Sequence, residues 1–234
     1  MEGPLVSAII PVYNGERHLS DALDSILSQD YKPIEIIVVD DGSTDSSADI
    51  ARTYSEVQYI YQPNQGPSTA RNTGVIATQG ELIAFLDADD VWLPNKLSAQ
   101  VSYLMSHPEI GFVVAKRRMH IENGIEKPPW YRKHLFEEES VCFFPSAMVV
   151  RRSVFEKAGY WNPCFRFGET GEWLTRVNDA GISYAILPET LLVMRIHDRN
   201  LTYHLDEVRS GILSALKASV DRKRKKILWK VIIF

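Results

Sequence analysis

The chain has 234 residues, of which 45% are hydrophobic, 24% charged and 10% aromatic, and its formal net charge is −4. This composition is typical of a globular protein with a sizeable core, and it excludes disordered, collagen-like and disulfide-stapled chains. A net acidic chain also disfavours broad binding to nucleic acid, because phosphate backbones require clustered lysine and arginine. We therefore expect no nucleic-acid partner.

Short apolar runs alternate with helical patterns in the first part of the chain. Strands are predicted over 6–12, 34–39, 57–61 and 82–86, and helices over 19–27, 46–54 and 67–78. The strands lack polar alternation, which indicates a mostly parallel sheet covered by helices on both faces. The pattern therefore predicts an α/β architecture of the nucleotide-binding type.

The second part of the chain is less regular. A helix is predicted over 94–106, strands over 112–115, 147–150, 183–187 and 192–196, a short helix from 153 and a helix over 172–180. Residues 119–145 are interpreted as a long loop or small insertion. No repeat or linker divides the chain. We therefore predict a single domain over 1–205, with a nucleotide-binding half (about 1–110) and an acceptor half (about 111–205), followed by a helical tail over 206–234.

Polar side chains follow the predicted parallel strands at the points where these strands end. Asn14 follows the first strand, Asp40 and Asp41 the second, and Asn64 the third. Ligands of open parallel sheets bind beyond the carboxyl ends of the strands. The alternative for Asp40 and Asp41 is a turn that caps the next helix. At a binding site, either carboxylate would accept hydrogen bonds from a nucleobase or a ribose.

The fourth strand runs directly into three carboxylates, Asp87, Asp89 and Asp90. Three such groups repel one another unless a cation or hydrogen bonds offset their charge. A few carboxylates combined with phosphate oxygens are suitable ligands for Mg²⁺ and Mn²⁺, so these aspartates are candidates for a metal site. The alternative interpretation of this segment is an exposed loop that caps the next helix. Arg71, one turn into its helix, is either a surface arginine or a ligand for a diphosphate or a base.

Four segments in this order resemble the family 2 glycosyltransferases, which have the GT-A fold. They are PVYN (11–14), VVDDGSTD (38–45), NQGPSTARNTG (64–74) and FLDADD (85–90). The resemblance runs from about residue 7 to residue 202, with further matches at 165–173 and 195–197. It is specific to the family and leaves the donor and the acceptor open.

The resemblance implies an inverting transfer of a sugar from a nucleoside diphosphate donor, assisted by Mn²⁺ or Mg²⁺. By similarity, the nucleotide would be bound by Pro11, Tyr13, Asp40, Asp41, Arg71, Asp87 and Ala88. The Asp-x-Asp pair, Asp87 and Asp89, would hold the ribose and the metal. His197 is a further candidate ligand, against the alternative of a hydrogen-bonded structural histidine. The acceptor, a saccharide, a lipid or a peptide, stays open.

An inverting displacement also requires a general base. The family pattern resembles Gly-Glu-Asp-x-Asp-Trp, whereas this chain has Gly168-Glu-Thr-Gly-Glu-Trp173, with Thr170 at the usual aspartate position. Glu169 or Glu172 is the candidate base, and the alternative is a carboxylate that the helix N-terminus favours. The departure at Thr170 motivates a second hypothesis, a non-catalytic nucleotide-sugar-binding module or partner subunit.

Two further features concern location. The cysteines, Cys142 and Cys164, lack metal-ligand spacing, and the N-terminus lacks a secretory signal, so a cytoplasmic protein is expected. The tail has a basic cluster at 222–226 followed by an apolar stretch at 227–234, which resembles an interfacial anchor. Contact at the inner membrane surface through 222–234 is one expectation. The alternative is a helix packed on the body or on a partner chain, which includes a homodimer.

Overall fold

The computed structural model describes residues 3–128, 130–200 and 205–232, without the side chains of residues 135, 137, 205 and 225–232. Its strands are β1 (Val6–Val12), β2 (Ile34–Asp40), β3 (Val57–Tyr61), β4 (Leu82–Phe85), β5 (Val91–Trp92), β6 (Ile110–Ile121), β7 (Ser140–Val141), β8 (Met148–Arg151) and β9 (Ser183–Ile196). Its helices are α1 (Leu19–Leu27), α2 (Ser47–Thr53), α3 (Pro67–Ala77), α4 (Lys96–Ser106), α5 (Lys133–Glu137), α6 (Arg152–Ala158), α7 (Glu169–Asp179) and α8 (Leu205–Ile232).

The strands of this described part form one mixed sheet in the order β3-β2-β1-β4-β8-β6-β9-β5, and β7 pairs with β6. The first four strands are mutually parallel, as are β6 and β9. Strands β5, β7 and β8 run against their neighbours. The prediction of a single α/β domain with a mostly parallel sheet is confirmed.

The sheet is covered on both faces because its apolar side chains alternate between two cores. Ala8 and Ile10 of β1 pack in the core that contains α1 and α4. Ile9, between them, packs in the core on the opposite face with Ala70 of α3 and Trp173 of α7. Successive residues of a strand point to opposite faces, so a strand buried on both sides is apolar throughout. This burial explains the continuous apolar runs in the sequence.

The structure differs from the prediction in the second half of the sheet. The strand predicted over 112–115 extends to Ile121, and the segment 119–145 contains α5 and β7 as well as the end of this strand. Three consecutive basic residues at 116–118 interrupt the apolar run, yet β6 continues through them because β9 pairs with it. The strands predicted over 183–187 and 192–196 form one strand, β9, whose register shifts between these two parts.

The predicted tail forms α8, which packs against α7. The basic and apolar side chains at 225–232 and residues 233–234 lie outside the described residues, so most of the expected anchor does too. No helix in the described part of the chain is long and apolar enough to cross a membrane.

A lysine is fully buried where α4 begins. The Nζ atom of Lys96 lies 4.2 Å from the centre of the Trp92 ring and donates to Met148 O at 3.4 Å. Burial lowers the pKa of Lys96 well below its usual value, although a nearby thiol, Cys142, opposes this effect. Between this lowered pKa and about pH 10.4, the Lys96 amine therefore binds fewer protons in the folded protein than in the unfolded chain.

We expect Lys96→Met to stabilise the protein by about 1–3 kcal/mol at pH 7, because it removes the cost of burying an amine. The wild-type free energy of unfolding should rise with pH up to about 10.4, since the unfolded chain binds the extra proton. The advantage of the variant should therefore shrink as the pH rises. Urea unfolding at several pH values measures this difference, with the exposed Lys157→Met as the control. A variant less stable than wild type at pH 7 would contradict the expectation.

Candidate active site

A cavity of about 430 Å³ opens at the carboxyl ends of β1, β2 and β4. Its walls also include the segment before α7 and the residues that end β9. Most of the predicted site residues line this cavity, namely Pro11, Tyr13, Asp41, Arg71, Asp87, Ala88, Asp89, Glu169 and His197. Side chains from distant parts of the sequence thus meet in one hollow, as the strand-end argument predicts.

Arg71 is buried and joins two carboxylates across the cavity wall. It extends from the first turns of α3, which begins at Pro67 after Gly66, a glycine with φ of 87°. Its Nη2 atom donates to Asp87 Oδ1 at 2.8 Å, and its Nη1 atom to Glu169 Oε1 at 3.2 Å. Burial alone would lower the pKa of the guanidinium, but the two carboxylates outweigh burial and the pKa is raised. Arg71 therefore remains a fixed cation.

Asp41 holds the loop that leads into α3. Its Oδ1 atom accepts hydrogen bonds from Gln62 Nε2 at 2.7 Å and from Gln65 N at 2.8 Å. Its Oδ2 atom accepts one from Gly66 N at 2.8 Å. A carboxylate has about four acceptor positions, so Asp41 shapes the cavity wall and retains capacity to accept from a ligand.

The structure does not bring Asp40 to the cavity. Its Oδ1 atom accepts from Ser43 N at 2.7 Å and its Oδ2 atom from the Tyr59 hydroxyl at 2.6 Å. Burial and this hydrogen bond raise the pKa of Tyr59 to about 12. Because adjacent strand residues point to opposite sides, only Asp41 of this pair faces the ligand side. Asp40 instead fixes the turn, as the alternative interpretation of this pair proposed.

Asp89 forms a polar cluster with the residues that follow β9. Its Oδ2 atom lies 3.0 Å from His197 Nε2 and 3.0 Å from Asn200 Nδ2. The His197 ring stacks on His18, with ring centres 4.8 Å apart. Arg199 N donates to His197 Nδ1 at 3.1 Å, so the hydrogen of the neutral ring is on Nε2. This Nε2–H group donates a hydrogen bond to Asp89. This bond fixes the orientation of the Asp89 carboxylate.

A third carboxylate, Asp90, is buried beside this cluster. Burial raises its pKa well above the usual value, and the negative charges of Asp89 and Asp87 raise it further. Arg195 N donates to its Oδ1 atom at 3.2 Å. The corner of the cavity at 87–90 therefore brings three carboxyl groups together, and a cation would offset the repulsion between those that are ionised.

The donor chemistry of this corner fits a divalent cation bound together with a diphosphate. Asp89 and His197 offer an oxygen and a nitrogen, and both types of donor suit Mn²⁺. Among the residues that the structure describes, no group of three or more His, Cys, Asp or Glu side chains is arranged to hold a metal by itself. A metal here would take its remaining ligands from phosphate oxygens and water, as Mg²⁺ does in many nucleotide sites.

The two candidate bases occupy different environments. Helix α7 begins at Glu169, three residues earlier than predicted, after Gly168 in the left-handed region (φ 73°). The Glu169 side chain lines the cavity, paired with Arg71. Glu172 lies one turn further along, buried between Arg176 Nε at 3.0 Å and Arg222 Nη1 at 2.8 Å. It does not line the cavity, because it is buried against these two arginines.

Several cavity residues were not predicted from the sequence. They include His18, Arg166, Asn200 and Val208. Asn200 follows His197 by three residues and could have been found from that spacing. Arg166 lies within the matched segment 165–173, whereas His18 and Val208 lie outside any motif and reach the cavity through long-range packing that the sequence pattern does not encode.

The family assignment agrees with this geometry. A sequence profile described as glycosyl transferase family 2 matches residues 7–159. The chain belongs to glycosyl transferase family 2. Membership confirms the resemblance carried by the motifs.

Curated relatives of this family 2 chain are longer than it. An uncharacterized glycosyltransferase of Rickettsia typhi is 30% identical over 215 residues, which cover 85% of this chain and 66% of the relative. The match thus spans slightly less than two thirds of that protein's length.

Solved structures share the fold. TarS of S. aureus in complex with UDP-GlcNAc is 21% identical with a TM-score of 0.68, over 86% of this chain and 60% of that chain. Mannosyltransferase PcManGT from Pyrobaculum calidifontis, in complex with GDP-Man and Mn2+, is 19% identical with a TM-score of 0.74. This match covers 94% of this chain and 65% of that chain. The chain shares the fold of both proteins, and the expected GT-A fold is confirmed.

Proposed function

We propose that this family 2 domain transfers a sugar from a nucleoside diphosphate donor to an acceptor hydroxyl, with inversion and with the aid of Mn²⁺ or Mg²⁺. The observation that supports this most is the convergence of Asp41, Arg71, Asp89 and Glu169 on one cavity. The cavity volume of about 430 Å³ lies within the usual range of small-molecule sites. The bound UDP-GlcNAc and GDP-Man of the two structural neighbours support a donor of this class.

In this proposal the nucleotide lies along the ends of β1 and β2. Asp41 accepts a hydrogen bond from the base or the ribose with its remaining acceptor capacity. The exposed ring of Tyr13, 55% accessible, offers a flat apolar face beside Pro11. Asp87 and Ala88 face the ribose, and the Arg71 cation attracts the diphosphate.

The metal would be held by Asp89 with Asp87, and His197 is a further candidate ligand. When bound, such a cation offsets the negative charge that develops on the leaving diphosphate. The His197 Nε2–H group donates to Asp89 and orients that carboxylate, so ligation by Nε2 would require this hydrogen bond to break and the proton to leave Nε2. The acidic corner at 87–90 provides the electrostatic reason for a cation to bind there.

Glu169 is the proposed general base. The acceptor oxygen forms a bond with the anomeric carbon, the bond from that carbon to the diphosphate oxygen breaks, and Glu169 takes the proton of the acceptor hydroxyl. A single displacement of this kind inverts the anomeric centre. Arg71 Nη1 and Thr170 Oγ1 hold Glu169 Oε1 at 3.2 and 3.3 Å, which fixes the carboxylate at the cavity wall. Thr170 itself, at the usual aspartate position, has no basic group.

Nucleotide binding and release test the proposal directly. Calorimetry with UDP, GDP and dTDP should show one nucleotide binding about tenfold or more tightly when Mn²⁺ is present. The matching nucleotide sugar should slowly release nucleoside diphosphate in the same buffer, and a chelator should stop this release. The absence of binding by all three nucleotides with either metal would contradict the proposed function.

A further inference from the structure

The C-terminal helix α8 packs on the body along one of its faces. Gly211 lies so close to the Phe167 backbone that a Cβ atom at this position would collide with it. Ala215 and Ser219, one and two turns later, are buried, and Arg222 pairs with Glu172. The spacing of three and four residues places all these contacts on the same side of the helix. The orientation of α8 about its own axis is thereby fixed.

An adjacent flank of α8 exposes four large apolar side chains, Ile212, Leu213, Leu216 and Val220, which we call the apolar flank. Their exposed fractions are 50%, 67%, 55% and 49%. They recur at intervals of three and four residues, so they form one continuous stripe. A stripe of this kind on a helix that is already docked marks a surface for a further partner.

The charges beside the apolar flank are mainly positive. Lys217 and Arg224 lie at its edge by helical spacing, and both are exposed. Arg209, near its start, is 74% exposed, and its Nη1 atom lies 4.0 Å from Asp206 Oδ1. In the sequence, the apolar flank is followed by the basic cluster at 222–226 and by the mostly apolar segment 227–234, which includes Trp229. Apolar residues bordered by cations are typical of helices that lie on anionic membranes.

We propose that α8 binds a membrane surface rich in anionic lipid through the apolar flank and these cations. A second copy of the chain fits the flank less well, because a symmetric contact through the same surface would bring Lys217 and Arg224 towards the cations of the second copy. Anionic headgroups complement these charges, and the acyl boundary accepts the apolar side chains. The proposed surface does not depend on the transfer chemistry.

Vesicle binding of the full chain tests the proposal. Sedimentation with phosphatidylcholine vesicles and with vesicles that also contain phosphatidylglycerol should show at least about tenfold tighter binding to the anionic ones, weakened by salt. Leu213→Gln with Leu216→Gln, and separately Lys217→Gln with Arg224→Gln, should each weaken this binding by about tenfold or more. Ile76→Gln and Lys157→Gln change an exposed isoleucine and an exposed lysine elsewhere, and should leave it unchanged.

Three results would overturn the proposal. One is equal binding to neutral and anionic vesicles, and another is undiminished binding by both double variants. The third combines two observations: wild type does not bind vesicles, and it forms a dimer in sedimentation velocity that the Leu213→Gln/Leu216→Gln variant no longer forms. This result would assign the apolar flank to a second copy of the chain. Thermal unfolding of every variant shows whether it is folded, independently of nucleotide binding. Vesicle binding without nucleotide binding would contradict the proposed function and leave this inference standing.

Discussion

The Asp89→Asn variant should lose the metal-dependent part of nucleotide binding. Asparagine keeps the size of the side chain but removes the negative charge that a divalent cation requires, and it also alters the hydrogen bond with His197. We expect the gain in nucleotide affinity from Mn²⁺ to fall by about 10- to 100-fold. Metal-independent affinity should change little, because in the proposal the base and the ribose contact Asp41, Tyr13, Asp87 and Ala88 and do not depend on Asp89.

Calorimetric titrations with and without Mn²⁺ measure this loss. Asp49→Asn on α2 is the matched control, because its side chain is 88% exposed and the substitution makes the same change in charge. Thermal unfolding of both variants shows whether the fold is intact. An Asp89→Asn protein that binds nucleotide and Mn²⁺ as tightly as wild type would remove Asp89 from the metal site.

The Glu169→Gln variant should bind the donor and fail to turn it over. Glutamine can still accept a hydrogen bond from Arg71, so the cavity wall stays in place, but the amide cannot take a proton from the acceptor. Loss of a general base lowers turnover by about 100- to 10,000-fold. Nucleotide affinity, by contrast, should remain within about threefold of wild type.

Initial rates of transfer, measured at saturating donor alongside calorimetry, separate these two effects. Glu156→Gln on α6, an exposed glutamate outside the cavity, is the control for the change itself. Equal rates for wild type and Glu169→Gln would show that Glu169 is not the base. If wild type binds the donor and neither protein turns it over, the hypothesis of a non-catalytic binding module is favoured instead.

The nucleotide-binding half was predictable because its signals are local. Each parallel strand there is a short apolar run, and the polar residues that follow it must lie at the carboxyl edge of the sheet. Asp87 and Asp89 reach the cavity for this reason, and Arg71 reaches it from the first turns of α3, the helix after β3. The sequence did not distinguish Asp40 from Asp41, since their opposite orientations depend on which face of β2 meets the turn.

The second half depends on contacts between distant segments, and its prediction was correspondingly weaker. Strand β6 continues through three basic residues because β9 pairs with it, about seventy residues later in the chain. Glu172 was a candidate base by its place in the motif, yet Arg222 of α8 covers it, fifty residues away. Such pairings stabilise the fold without leaving a periodic pattern in the sequence.

The packing of α8 couples the end of the chain to the cavity. Val208 forms part of the cavity wall, and three residues later Gly211 contacts the segment just before Glu169. A ligand that touches Val208 therefore gains binding energy only while the helix is in place. By thermodynamic reciprocity, that ligand must tighten the attachment of the helix by the same factor.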